Sequence, residues 1–138
     1  AIRLETNNNL KPDNIQIDGV QFLGKVSNNE LPKYYQVSDC YLFPTLWHEG
    51  FGLSLIEALH SGCYCIASNL GGVPEVLQYG KLGKLIENPH FEHEWEEAIE
   101  IFLNQKEHNL ISIPENLYTT KSWNLGMNKI IDNAKNRF

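Results

Sequence analysis

The densest group of residues able to do chemistry in this 138-residue chain is His48-Glu49-Gly50-Phe51-Gly52-Leu53-Ser54-Leu55-Ile56-Glu57-Ala58-Leu59. It runs from a polar, glycine-bearing loop into the helical spacing of Leu53, Leu55, Ile56 and Leu59, so the first free amides of a helix follow directly on two glycines. Gly50 and Gly52 let the backbone approach a ligand closely and take angles other residues avoid. The amides of Leu53 and Ser54 then sit at a terminus carrying about half a positive charge, which suits a diphosphate. Glu49 lies in the loop before that terminus and Glu57 about one turn inside, so two carboxylates bracket the anion site. A carboxylate does not bind phosphate; beside one, it accepts hydrogen bonds from sugar or ribose hydroxyls. The same residues admit a purely local reading, because Ser54-x-x-Glu57 matches the capping box, in which Ser bonds the amide three residues on and Glu reaches back.

A second stripped loop, Gly71-Gly72-Val73-Pro74-Glu75, offers another helix start, where Glu75 either caps the dipole or contacts a sugar. Its glycines weigh against capping alone, since two adjoining loops then lack side chains. Other residues read more plainly. Lys25, Lys81 and Lys84 are the basic groups nearest these loops, and surface lysines are mostly solvated charges. His90 and His93 flank Phe91-Glu92 without a convergent Cys or acidic set, so no metal is expected there. Trp47, close to Pro44, reads as packing rather than as facing a ligand, and Glu92, Glu94, Glu96 and Glu97 as a solvated helix face favourable to its own dipole.

These residues need a scaffold, and the chain has the means for one. Hydrophobic residues make up 42% and charged residues 20%, which excludes disorder and coiled coil, and the length suits a single core. Eleven Lys and Arg against seventeen Asp and Glu leave a net charge of −6, so nucleic acid is not an expected partner. Cys40, Cys63 and Cys65 lie in apolar runs and read as buried, reduced thiols of a cytoplasmic protein; alternation points Cys63 and Cys65 to one strand face. No run of about 18 apolar residues is present, so no membrane span is expected.

Hydrophobic patterning places a strand at Val20-Gln21-Phe22-Leu23, a helix from Leu31 to about Ser38, and a buried strand at Cys40-Tyr41-Leu42-Phe43 stopped by Pro44. The helix after Gly52 ends at Gly62, a C-terminal cap, and Cys63 to Ser68 forms the next strand. A short helix from Pro74 to Gln78 and a fourth strand at Gly83-Lys84-Leu85-Ile86 follow. Trp95, Ala98, Ile99, Phe102 and Leu103 mark one later helix face; Trp123, Met127, Ile130, Ile131 and Ala134 mark another. Strands alternating with helices predict an α/β fold: a Rossmann-like parallel sheet with helices on both faces and ligands at the carboxyl ends of its strands.

The run Pro44-x-x-x-His48-Glu49-Gly50-Phe51-Gly52-Leu53-x-x-x-Glu57-Ala58-Leu59-x-x-Gly62, followed by Ile66-Ala67-Ser68-x-x-Gly71-Gly72-x-Pro74-Glu75-Val76, resembles the C-terminal, donor-binding domain of group 1 (GT4) retaining glycosyltransferases. These have the GT-B fold. The family's two Glu separated by seven residues are present as Glu49 and Glu57, and the resemblance covers most of residues 20 to 135. It implies that Glu57 holds ribose hydroxyls, Glu49 contacts the donor sugar, the amides of Phe51 and Gly52 touch sugar hydroxyls, and those of Leu53 and Ser54 hold the diphosphate. Gly24 and Lys25 match the region near the nucleotide base. The implied substrate is a UDP- or GDP-sugar, with no metal or other cofactor, whose hexosyl unit goes to a glycan or lipid-linked acceptor in polysaccharide biosynthesis.

The chain departs from the family pattern at Tyr64, where Pro is usual, and at His60, where a small residue is usual. The resemblance further implies that residues 1–138 are one domain, truncated at its N-terminal edge. It lacks the family's diphosphate-clamping Arg and Lys and its acceptor-binding domain. Such a chain is expected to bind nucleotide weakly and to transfer no sugar alone, its parent being peripheral to the inner face of a membrane. Two other readings compete: a GT-B-like nucleotide-sugar epimerase, and a nonenzymatic nucleotide-binding module. A NAD oxidoreductase calls for Gly-x-Gly-x-x-Gly after a first strand, which the sequence lacks.

Overall fold

The computed structural model describes residues 18–105 and 112–135. Three parallel strands, β1 (Cys40–Phe43), β2 (Tyr64–Ser68) and β3 (Lys84–Ile86), lie side by side in the order β1-β2-β3. Cys40 pairs with Tyr64 and Phe43 with Ala67, while Ile66 pairs with Lys84 and Ser68 with Ile86. Five helices accompany them among the described residues: α1 (Leu31–Gln36), α2 (Leu53–His60), α3 (Val73–Val76), α4 (Glu92–Asn104) and α5 (Thr120–Lys135). This is the expected α/β architecture.

Strand alternation divides the core between the two sheet faces. Tyr41, Phe43, Cys65, Ala67 and Leu85 face a layer built from Tyr35 of α1, Leu55, Ala58 and Leu59 of α2, and Val73 and Val76 of α3. Cys40, Leu42, Tyr64, Ile66 and Ile86 face Trp95, Ala98, Ile99 and Phe102 of α4. Cys63 and Cys65 join the same cluster, as alternation requires, and Cys40 lies on the opposite face. All three thiols are free, and the Cys63 thiol donates to the Tyr35 carbonyl at 3.1 Å.

Helix α2 ends where its glycine predicts. Gly62 takes φ +93, its amide bonds the Leu59 carbonyl at 3.0 Å, and the Cys63 amide bonds the Ala58 carbonyl at 3.1 Å. This is the paired Schellman closure, and it turns the chain straight into β2.

Four expectations need correction. No strand forms at Val20–Leu23: Phe22 and Leu23 are half-buried in irregular backbone, so the described sheet has three strands, not four. Trp47 does not pack; it is 81% exposed. The acidic face of α4 is not wholly solvated, because Glu94 accepts from the backbone amide and side-chain amide of Asn88 at 3.1 and 2.7 Å, closing the turn that leads into the helix. Finally, the apolar stripes are unevenly covered: Leu103 of α4 and Trp123, Ile130 and Ile131 of α5 are exposed, while the Ala134 side chain lies outside the described residues.

Candidate functional site

The carboxyl ends of β1 and β2 feed two loops, 44–52 and 69–72, that meet backbone to backbone. The Thr45 hydroxyl accepts from the Trp47 amide at 3.2 Å and steadies the first bend. The Glu49 amide then bonds the Trp47 carbonyl at 3.0 Å, and the Glu49 carbonyl accepts from the Gly72 amide at 2.7 Å. A Cβ on Gly71 would overlap the amide and carbonyl of Glu49, and one on Gly72 would overlap the carbonyl of Gly50. The second glycine pair therefore serves the fit of one loop on the other. Gly50 is different: a Cβ there meets nothing within 4 Å.

Gly52 caps α2 in the left-handed conformation, at φ 66 and ψ 62, where side chains are rarely tolerated. Its carbonyl accepts from the amides of Leu55 at 3.0 Å and Ile56 at 3.3 Å. No side chain caps the helix, and among the described residues the amides of Leu53 and Ser54 have no acceptor. These are the two donors expected for a diphosphate.

The capping-box alternative does not form. Ser54 is the second residue of α2 rather than its cap, and its Oγ lies 3.1 Å from the Tyr41 hydroxyl, which donates to it. Tyr41 is itself set by an edge contact with Tyr35, ring centroids 5.5 Å apart. Glu57 is exposed, and its carboxylate has no hydrogen bond among the described residues. The helix has no use for that side chain in its own capping.

The structure thus gathers Glu49, Gly50, Phe51, Gly52, Leu53 and Ser54 at one loop–helix junction, with Glu57 a turn further along α2. Gly24 and Lys25 are both exposed in the bend before α1, and among the described residues no backbone hydrogen bond links them to residues 49–57. Glu75 is exposed in the first turn of α3. His93 stacks on Phe91 with centroids 5.7 Å apart, and among the described residues no three His, Cys, Asp or Glu side chains are grouped to hold a metal. Nor is any described helix long and apolar enough to cross a membrane.

Two neighbours of the site were not singled out from the sequence. Tyr41 could have been found, since its alternation with Phe43 points it toward α2. Tyr118, whose ring meets Phe51 edge-on at 5.5 Å, carries no local signal. Its hydroxyl proton is held tighter than usual, chiefly because burial disfavours the phenolate and also because Glu75 is near.

Three parallel strands with helices packed on both faces define an α/β protein, and the junction capped by Gly52 lies at the carboxyl edge of its sheet. Residues 11–115 match the family described as "Glycosyl transferases group 1", and the chain belongs to that family. It is similar to an uncharacterized 41.2 kDa protein of the cps region of Klebsiella pneumoniae, with 39% identity over 54% of this chain and 20% of that protein. It also resembles the GDP-mannose-dependent alpha-(1-6)-phosphatidylinositol monomannoside mannosyltransferase of Mycobacterium tuberculosis, 27% identical over 87% of this chain and 33% of the enzyme. Similarity to the N-acetyl-alpha-D-glucosaminyl L-malate synthase of Bacillus anthracis is 36% over 66% of this chain and 23% of the relative. The chain therefore spans about a fifth to a third of the length of these relatives.

Proposed function

We propose that this chain binds the nucleotide-sugar donor of a retaining glycosyltransferase that moves a hexosyl unit from a UDP- or GDP-sugar to a glycan or lipid-linked acceptor. The observation that carries the reading is the pair of amides, Leu53 and Ser54, that find no acceptor among the described residues behind the left-handed Gly52. In this reading they hold the diphosphate, the exposed Glu57 carboxylate holds the ribose hydroxyls, and Glu49 with the amides of Phe51 and Gly52 contacts the sugar. Gly24 and Lys25 serve the nucleotide base. Fixed amide dipoles suit the chemistry, because charge grows on the departing diphosphate while the sugar takes on oxocarbenium character, and preset donors need no reorganisation. Glu49 orients the sugar for attack on the face the diphosphate leaves.

The acceptor is bound outside these 138 residues, and transfer by this chain alone is not expected. Family membership and the mannosyltransferase relative, named as GDP-mannose-dependent, support a hexose donor. Three free thiols, two of them buried, support a reducing, cytoplasmic setting. Saturation-transfer NMR with UDP, GDP and NAD as separate probes tests the reading. Transfer to UDP or GDP is expected; selective transfer to NAD, or to none of the three, contradicts it.

A further inference from the structure

The junction at residues 49–52 is held from two sides, and only one of them is the Gly71-Gly72 loop. On the other stands Tyr118, in the turn between α4 and α5 where the Leu117 amide bonds the Pro114 carbonyl at 2.8 Å. Ile113, Leu117 and Tyr118 all pack on the core cluster that includes α2 and α3, so this turn is seated rather than loose. The Tyr118 hydroxyl donates to the Glu75 carbonyl of α3 at 2.6 Å, and its ring meets Phe51 edge-on, the planes at 89°. Its backbone is in the left-handed region at φ 56. The other non-glycine residues there, among those described, are Gln78 and Tyr79, just beyond α3. A tyrosine held in such a conformation persists only where its surroundings insist on it, and such residues collect at functional sites.

We infer that Tyr118 is a positioning residue for the sugar end of the donor site: anchored on the Glu75 carbonyl, it sets Phe51, and through Phe51 the Gly50-Phe51-Gly52 backbone that faces the glycosyl group. This rests on the donor-binding reading above and extends it to a residue far along the chain. The Leu53 and Ser54 amides depend on α2 and the Tyr41–Ser54 bond instead. Tyr118 therefore governs affinity for the sugar and leaves affinity for the bare diphosphate alone.

The test is calorimetric titration of the 138-residue chain with GDP and GDP-mannose, and with UDP and UDP-glucose, in the wild type, Tyr118→Phe and Tyr118→Leu. Loss of the hydroxyl anchor in Tyr118→Phe is expected to weaken sugar-nucleotide binding about threefold, and loss of the ring in Tyr118→Leu about tenfold, with diphosphate binding changed less than about twofold. A merely structural role would lower both affinities together and leave their ratio unchanged, which overturns the inference. If Tyr118→Leu does not fold by circular dichroism, the ratio in Tyr118→Phe decides. Absence of binding by the wild type to all four probes fells the donor-binding reading itself, and this inference with it.

Discussion

The Gly72 amide donates to the Glu49 carbonyl at 2.7 Å, tying the loop after β2 to the loop after β1 at the point where the candidate site begins. The close approach it fixes leaves no room for a Cβ on Gly71 or Gly72, whereas a Cβ on Gly50 meets nothing within 4 Å.

Substitution at each kind should therefore behave differently. Gly72→Ala drives a methyl into the Gly50 carbonyl and should destabilise the chain by about 2–3 kcal/mol. Gly71→Ala meets the Glu49 backbone and also a left-handed φ of 60, and should cost at least as much. Gly50→Ala meets nothing and should stay within about 0.5 kcal/mol of wild type while weakening sugar-nucleotide binding. Urea unfolding of the three variants checks the order; equal losses at positions 50 and 72 would contradict it.

Glu57 should matter to the ligand and not to the helix. Because the cap of α2 is Gly52 and Ser54 is engaged by Tyr41, Glu57→Gln should leave the melting temperature nearly unchanged. Nucleotide affinity should fall by about 1–3 kcal/mol through loss of charge-assisted bonds to ribose. Titration with GDP or UDP, paired with a thermal melt, reads both; an unaltered affinity in a folded variant removes Glu57 from the site.

Acid should act through Glu94. The backbone amide of Asn88, first, and its side-chain amide, second, hold this carboxyl below the usual range. A folded-state value below the unfolded one means stability that is present above the ordinary carboxylate value and lost as pH falls through the lowered one. The melting-temperature gap between wild type and Glu94→Gln should thus be open at neutral pH and close on acidification below the ordinary carboxylate range. A gap that does not vary with pH would remove Glu94 from the turn.

The thiols should be inert while the chain is folded. Burial, with smaller contributions from Cys63 and Asp39, pushes the Cys40 thiol up to about 12, and burial raises Cys63 and Cys65 as well. Little thiolate is then available near neutrality. Iodoacetamide at about pH 8 should label the native chain slowly and all three thiols quickly in urea. Rapid stoichiometric labelling of native Cys40 would contradict its packing, partly buried, against the cluster that includes α4.

What could be read from the sequence was whatever local pattern determines. Cys40–Phe43 is a short apolar run ended by proline, Gly62 closes a helix with the conformation only glycine takes easily, and Cys63 and Cys65 share a face by alternation. The Glu49 to Glu57 segment was legible because its helix start and its glycines are adjacent in sequence. What escaped depends on partners far along the chain. Val20–Leu23 has strand-like residues, but a strand exists only where a neighbour accepts its ladder. Ser54 looks like a cap until Tyr41, thirteen residues earlier, takes its hydroxyl. Gly71 and Gly72 look like ligand glycines until the Glu49 backbone is laid against them. The exposure of Trp47 and the reach of Tyr118 to Glu75 have no sequence signature at all.

If the Leu53 and Ser54 amides receive a diphosphate, amide-resolved NMR of the chain titrated with GDP and then UDP will show it. The Leu53 and Ser54 resonances should move first and furthest, with those of Phe51 and Gly52 following only when a sugar nucleotide replaces the bare diphosphate. Saturating shifts confined to other segments, or spectra unchanged at millimolar nucleotide, would contradict it.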